Sequence, residues 1–167
     1  QGPYYPMGSV RLDPGPAQAG GPSIVVSGRS RAAMARAVTM ADGWMPYLYS
    51  ARRYKESAEI IHSIAVEQGR VLDDFGWYAY IFVNVHERDE IAAAEAGSIL
   101  ARSFGRDMTE MLHRVAVAGS LAHVHKGLQQ FVDAGAHHLI VVPACEDGRR
   151  LEVVQTLRER VLPDLTV

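Results

Sequence analysis

PSIVVSGRSRAAMARAVTMADGWMP, running from Pro22 to Pro46, decides the fold. It opens with a short β-branched run, Ile24-Val25-Val26, and turns at Ser27-Gly28. A helical pattern follows, with Ala33, Ala37, Met40 and Ala41 on one face. Asp42-Gly43 then leads into a second apolar piece, Trp44-Met45-Pro46. Strand, glycine turn, helix, strand is a parallel β-α-β unit. Its first turn lies at the carboxyl end of a strand, where parallel α/β folds place their ligands.

The turn residues suit an anion. Gly28 permits close backbone approach. Ser27 and Ser30 bring hydroxyls, and Arg29 and Arg31 bring charge. The helix start adds N–H groups without intrahelical acceptors and the positive end of the dipole. Together these predict phosphate binding at Ser27, Gly28, Arg29 and Ser30. The plainer alternative is a turn that only reverses the chain, as such turns do in every α/β protein.

Working outward, residues 1–22 hold five prolines and five glycines, a density no helix survives. They read as a lead-in loop, with Ser9 to Leu12 as one short extended piece and Tyr4 and Tyr5 as candidate pocket aromatics. Residues 23–167 form the α/β domain. Beyond Pro46, Ser50 is placed to cap a helix whose stripe is Tyr54, Ala58, Ile61, Ala65, with Gly69 to end it. Trp77 to Val85, WYAYIFVNV, is a nearly continuous apolar and aromatic run, the mark of a strand buried on both faces. Arg88 to Phe104, Asp107 to Val115, and a stretch capped by Ser120 and ended by Gly135 read as three successive helices, with no strand expected in 89–119. His138 to Val142 is the fourth and last expected strand. A final helix carries Leu151, Val154, Leu157 and Val161.

Composition narrows the function. The chain has 167 residues, which favours one domain. Its formal net charge is -2 with no basic block, so nothing supports nucleic acid as a partner. No apolar run approaches the roughly 20 residues of a membrane span. Cys145 is the one cysteine, which excludes an internal disulfide and fits a reducing cytoplasm. His123 and His125 are two apart on a helix, the wrong spacing for a shared metal. His137 and His138 alternate at the start of a strand, so no metal site is expected. Cys145 reads as a small buried residue.

Four strands alternating with helices allow a doubly wound sheet or half of a (β/α)8 barrel, since a whole barrel takes about 250 residues. The segments LDPGPAQAGGPSIVVSG, AMARAVTMADGWMP, GLQQFVDAGAHHLIVVP and VVQTLRERVLPDL, in this order, resemble the C-terminal half of the bacterial luciferase-like monooxygenase family. The resemblance implies barrel strands five to eight, with extra helices between the last two. It implies FMN or the deazaflavin coenzyme F420 as cofactor, and a phosphate near Ser27 to Ser30. Many members have a second glycine where this chain has Ser27. Most residues implicated in the family's chemistry belong to the other half, so no catalytic residue carries over.

Two functions follow. The first is a fragment of a flavin- or deazaflavin-dependent oxidoreductase acting on a small organic substrate. The second is a non-catalytic flavin-binding or assembly module. In either case a half-barrel exposes strand edges and an interior face, expected to be apolar through Ile24, Val26, Ile81, Val83, Ile140 and Val142. Its partner is then the missing N-terminal half of the barrel or a second copy of the chain.

Overall fold

In the computed structural model, which describes residues 4, 8–11 and 13–166, every strand pairing is parallel. Strands β1 (Val25–Val26), β2 (Gly43–Trp44) and β3 (Gly76–Val85) alternate with helices α1 (Arg31–Met40) and α2 (Ala51–Glu67). Next come α3 (Asp89–Phe104), α4 (Leu112–Val115), β4 (Ala116–Gly119), α5 (Leu121–Asp133), β5 (His138–Pro143) and α6 (Arg150–Arg160). Residues 8–11 and 13–22 carry no helix or strand, and Tyr4 is 84% exposed. Tyr5 and Leu12 lie outside the described residues.

Local chemistry sets most of these boundaries. Ser30 Oγ accepts the Ala33 N–H at 3.2 Å, and Ser50 Oγ accepts the Arg53 N–H at 3.3 Å. Each satisfies a donor that a helix start otherwise leaves open. Gly105 ends α3 in the left-handed region at φ 64°.

Strand β4 overturns the expectation that 89–119 is helical throughout. Ala116 to Gly119 pairs with Phe82 to Val85, so the stretch before the last strand carries a strand as well as helices. Val115, Val117 and Gly119 are buried while Ala116 and Ala118 are half-buried, the alternation of a sheet. Ser120 also departs from expectation: its side chain caps nothing, and Asp89 Oδ1 accepts its N–H at 2.6 Å.

The edges of β3 alternate along its length. The Gly76 N–H donates to Asp42 O and the His86 N–H to Gly119 O, so even-numbered residues serve β2 and β4. Trp77 O and Val83 O accept from the His137 and Ala144 N–H groups, so odd-numbered residues serve β5. Strands β2 and β4 thus follow one another along one edge, with β5 on the other.

Side chains divide by the same parity. Trp77, Ala79, Ile81, Val83 and Val85 join the main core with Trp44, Tyr54 and Ile61 and with Val124, Leu128 and Phe131 of α5. Phe82 faces the opposite way, packed beside a second cluster of Leu48, Leu100, Met108 and Val115. Below it that second face is open: Tyr47 is 46% and Ile140 39% exposed, Tyr78 and Tyr80 are half-buried, and His138 stacks on Tyr78 at 4.6 Å.

The open face is therefore aromatic, and the expected residue set needs correction. Ile81 and Val83 lie under the helices, with 1% and 0% exposure. Val26, in register with Trp44, shares that covered side, and Ile24, just before β1, is 60% exposed. Only Ile140 and Val142, paired with Tyr80 and Phe82, belong to the open face. The end helices differ too. On α6, Val153 and Leu157 are buried, followed by Val161, while Leu151 and Val154 are exposed; on α1, Met34 and Val38 replace Met40.

Candidate functional site

The loop after β1 is held from three directions. Trp44, fully buried, donates its indole N–H to Gly28 O at 2.9 Å. Ser30 caps α1 as described. Gly28 has φ 136°, and a Cβ added there would lie 2.5 Å from the Ala33 Cβ. The glycine is required by the fit of the loop onto its own helix, which the reading of Gly28 as a ligand-approach residue did not foresee. Ser27, Arg29 and Ser30 remain exposed around it, and the Arg31 and Ala32 amides have no intrahelical acceptor. The nearest acid in sequence, Asp42, accepts the Ile24 N–H at 2.7 Å at the far end of β1. The loop thus offers donors and the Arg29 charge, while Arg31 at the helix start pairs with Glu67 at 3.6 Å, and the exposed donors fit a phosphate.

Beside it is a cavity of about 490 Å³. Arg29 reaches it from the loop, Ser50, Arg52 and Arg53 from the start of α2, and His113 and Arg114 from α4. Leu48, Met111 and Val115 complete the lining. Leu48 takes φ 55°, a left-handed conformation rare for a leucine, on the segment joining β2 to α2. These arginines are scattered in sequence and only Arg52 and Arg53 adjoin, so periodicity alone gave no signal of them.

A second cavity, about 620 Å³, lies beyond β3 and β4 among His86, Glu87, Ser120, Arg149, Glu152 and Arg160. Its charges are mixed. Arg149 is committed to Glu95 and to Val85 O, the latter at 2.8 Å. Glu95 also accepts from the Asn84 amide at 2.9 Å and the Glu146 N–H at 2.9 Å. This network ties α3 and the loop after β5 to the end of β3. Burial acts to raise the Glu95 pKa, but these hydrogen bonds and the Arg149 charge outweigh it and hold the carboxyl below its usual range.

The remaining candidates resolve into structural roles. His123 Nδ1 lies 3.5 Å from Asp89 Oδ2, and His125 Nε2 is 3.2 Å from Asp164 O. Asp89 is held below its usual range, chiefly by the Ser120 N–H. Cys145 is fully buried, and that burial pushes its thiol up, the opposite of an activated nucleophile. Among the described residues, no helix is long and apolar enough to cross a membrane.

Comparison with known proteins places the fold. The profile of the luciferase-like monooxygenase family matches residues 1–138. No curated protein matches the sequence. Among solved structures, an F420-dependent secondary alcohol dehydrogenase in complex with an F420-acetone adduct aligns at TM-score 0.75 and 17% identity, over 100% of this chain and 55% of that one. The coenzyme F420-dependent tetrahydromethanopterin reductase of Methanopyrus kandleri aligns at TM-score 0.67 and 15% identity, over 86% and 51%. The oxygenating constituent of 3,6-diketocamphane monooxygenase from Pseudomonas putida, in complex with FMN, aligns at TM-score 0.62 and 16% identity, over 88% and 50%. The chain spans about half the length of these structures. It belongs to the luciferase-like monooxygenase family.

Proposed function

We propose that this chain supplies the phosphate-holding half of a flavin- or deazaflavin-dependent oxidoreductase that acts on a small organic substrate. The observation that carries the reading is the loop Ser27–Ser30. It is fixed from beneath by Trp44 and by the Ser30 cap, it carries exposed donors, and it stands at the carboxyl end of β1. Solved relatives in fold are described as binding F420 or FMN, which supports a phosphate-bearing cofactor here.

In this reading the Ser27 and Ser30 hydroxyls, the Arg31 and Ala32 amides and the Arg29 guanidinium hold the phosphate. A bound flavin or deazaflavin supplies the redox chemistry at its ring, as cofactors of this kind do. The chain's own part is to bind and orient. Trp44 keeps the Gly28 carbonyl turned inward, which leaves the loop's donors to face outward.

The test uses the chain alone and the Ser27→Ala/Arg29→Gln double variant, both at exposed positions. FMN and deazaflavin binding are followed by fluorescence anisotropy. The variant is expected to bind about tenfold more weakly, the loss of one charge-assisted contact and one hydroxyl. Equal affinity in a folded variant, or no binding by the parent chain, overturns the assignment.

A further inference from the structure

We propose that the cavity between α5 and α6 binds a short peptide of two or three residues, its ammonium at Glu87 and Glu152 and its carboxylate at Arg160. The site stands apart from the phosphate reading. It shares no lining residue with the cavity beside the loop after β1.

Helix α6 carries the argument. Arg149, Glu152, Val153, Thr156 and Arg160 recur at spacings of three and four, so they form one stripe along the helix, and all five line the cavity. Val153, Leu157 and Val161, on the adjoining stripe, belong to the main core. Leu151 and Val154 lie on the far side and are 69% and 47% exposed. Helix α6 thus turns two apolar side chains to water and keeps four polar ones along a concavity. Helices layered on a sheet ordinarily bury apolar side chains where they meet their neighbours. Here a space of about 620 Å³, lined with charge, lies between the start of α5 and this stripe. That is the size of a small-molecule site.

The signs of the charges select the ligand. Arg149 is taken up by Glu95 and by Val85 O, and Glu152 reaches only its Nε, at 3.6 Å. Among the described residues neither Glu87 nor Arg160 makes an ion pair. A simple anion here would face Glu87 and Glu152. A simple cation would face Arg149 and Arg160. A zwitterion satisfies both poles. Distance then sets its length. At about 1.5 Å per helical residue, Thr156 stands about 6 Å and Arg160 about 12 Å along the axis from Glu152. A single α-amino acid carries both charges on one carbon and cannot bridge that gap, whereas two or three extended residues at about 3.5 Å each do so. The lining also suits the peptide between its ends. His86 Nδ1 accepts the Arg88 N–H at 3.1 Å, which leaves the Nε2–H to donate to a peptide carbonyl. Val85 and Val153, at 8% and 1% exposure, form an apolar floor for its side chains.

The probes are trialanine, its N-acetylated and C-amidated forms, free alanine and ε-aminocaproate. Each is titrated into the chain at neutral pH and fixed ionic strength and followed in nitrogen–proton correlation spectra. Trialanine is expected to shift the amides of His86, Glu87, Leu121 and Ala122 and the Nε–H of Arg160. Each blocked form should bind about tenfold more weakly, the loss of one charge-assisted contact, and alanine at least as weakly. Glu87, Glu152 and Arg160 are exposed, so their variants keep the fold. In Arg160→Gln, trialanine should bind no better than its C-amide. In Glu87→Gln/Glu152→Gln it should bind no better than its N-acetyl form. Trialanine that leaves the cavity signals unmoved, or blocked forms that bind as tightly as it does, would overturn the site. ε-Aminocaproate bears the same charged ends without peptide groups; binding as tight as trialanine's would overturn the assignment to a peptide.

Discussion

Gly28 is held in place by its own chain. At φ 136°, with Ala33 Cβ 2.5 Å from where a Cβ would stand, Gly28→Val must shift the loop or the first turn of α1. It is expected to lower stability by about 1–3 kcal/mol, the combined scale of backbone strain and overpacking. The measurement is the urea midpoint; an unchanged midpoint contradicts the close approach. For this reason loss of cofactor affinity in that variant says little, and Ser27 and Arg29 are the informative positions. Glu95 makes a second prediction at this scale. Its folded pKa is depressed below the ordinary 4.5, so its stabilising share is fully present above that value. The share declines as pH falls below 4.5 and is gone once pH passes below the folded pKa. Glu95→Gln should therefore flatten the acid limb of stability against pH below 4.5. An acid limb parallel to the parent's would show that the network with Asn84 and Arg149 is not coupled to folding.

Helix α5 meets β4 through a glycine. A Cβ at Gly127 would stand 2.5 Å from Val117 Cγ1. Gly127→Val should therefore push α5 off the sheet and lower the urea midpoint, at a cost of about 1–3 kcal/mol. The same midpoint as the parent would mean that the helix has room to move and that β4 does not fix it. Strand β4 is also where the sequence misled. AVAG is short, follows directly on a helix, and holds one β-branched residue, so propensity does not mark it as a strand. Its only local trace is the alternation Val115, Val117, Gly119. By contrast β3 declared itself through the nearly continuous apolar and aromatic run from Trp77 to Val85, and Ser50 declared a helix start, because these signals are local. The faces of β3 were harder to assign. A nearly all-apolar strand gives little parity signal, and only pairing with Trp44 and the packing of α2 and α5 decide that Ile81 and Val83 go under helices. The arginine cavity was illegible for a related reason: its charges come from the loop after β1, the start of α2 and α4, and only the fold unites them.

The open face bears on what the whole molecule does in solution. Tyr47, Tyr78, Tyr80, His138 and Ile140 form a surface on the side of the sheet that α2 and α5 leave uncovered. Among the described residues, strand β1 is bonded on one side only, to β2, and β5 on one side only, to β3, so these edges offer backbone groups for pairing. In the solved structures of this fold the chain accounts for about half of the length, so their remaining half lies beyond the region matched here. We propose that four further β/α units cover the aromatic face in the working enzyme, and that a second copy substitutes when they are absent. Aromatic rings suit such a surface, since each supplies a large apolar area with a polar tip that tolerates water before assembly. Burying roughly 800 Å² per partner is the scale of a stable interface, and a sheet face with two open edges offers area of that order. Sedimentation velocity at micromolar concentration is expected to show a species heavier than one chain, and Tyr80→Glu/Ile140→Glu should shift it toward the mass of one chain. Placing two carboxylates on that face costs the monomer little where the residues are already part-exposed, yet it forbids their burial against a partner. A parent chain that sediments as a single compact monomer and binds no hydrophobic dye would show that the aromatic face is stable in water, and the covering half would then have no energetic role at this surface.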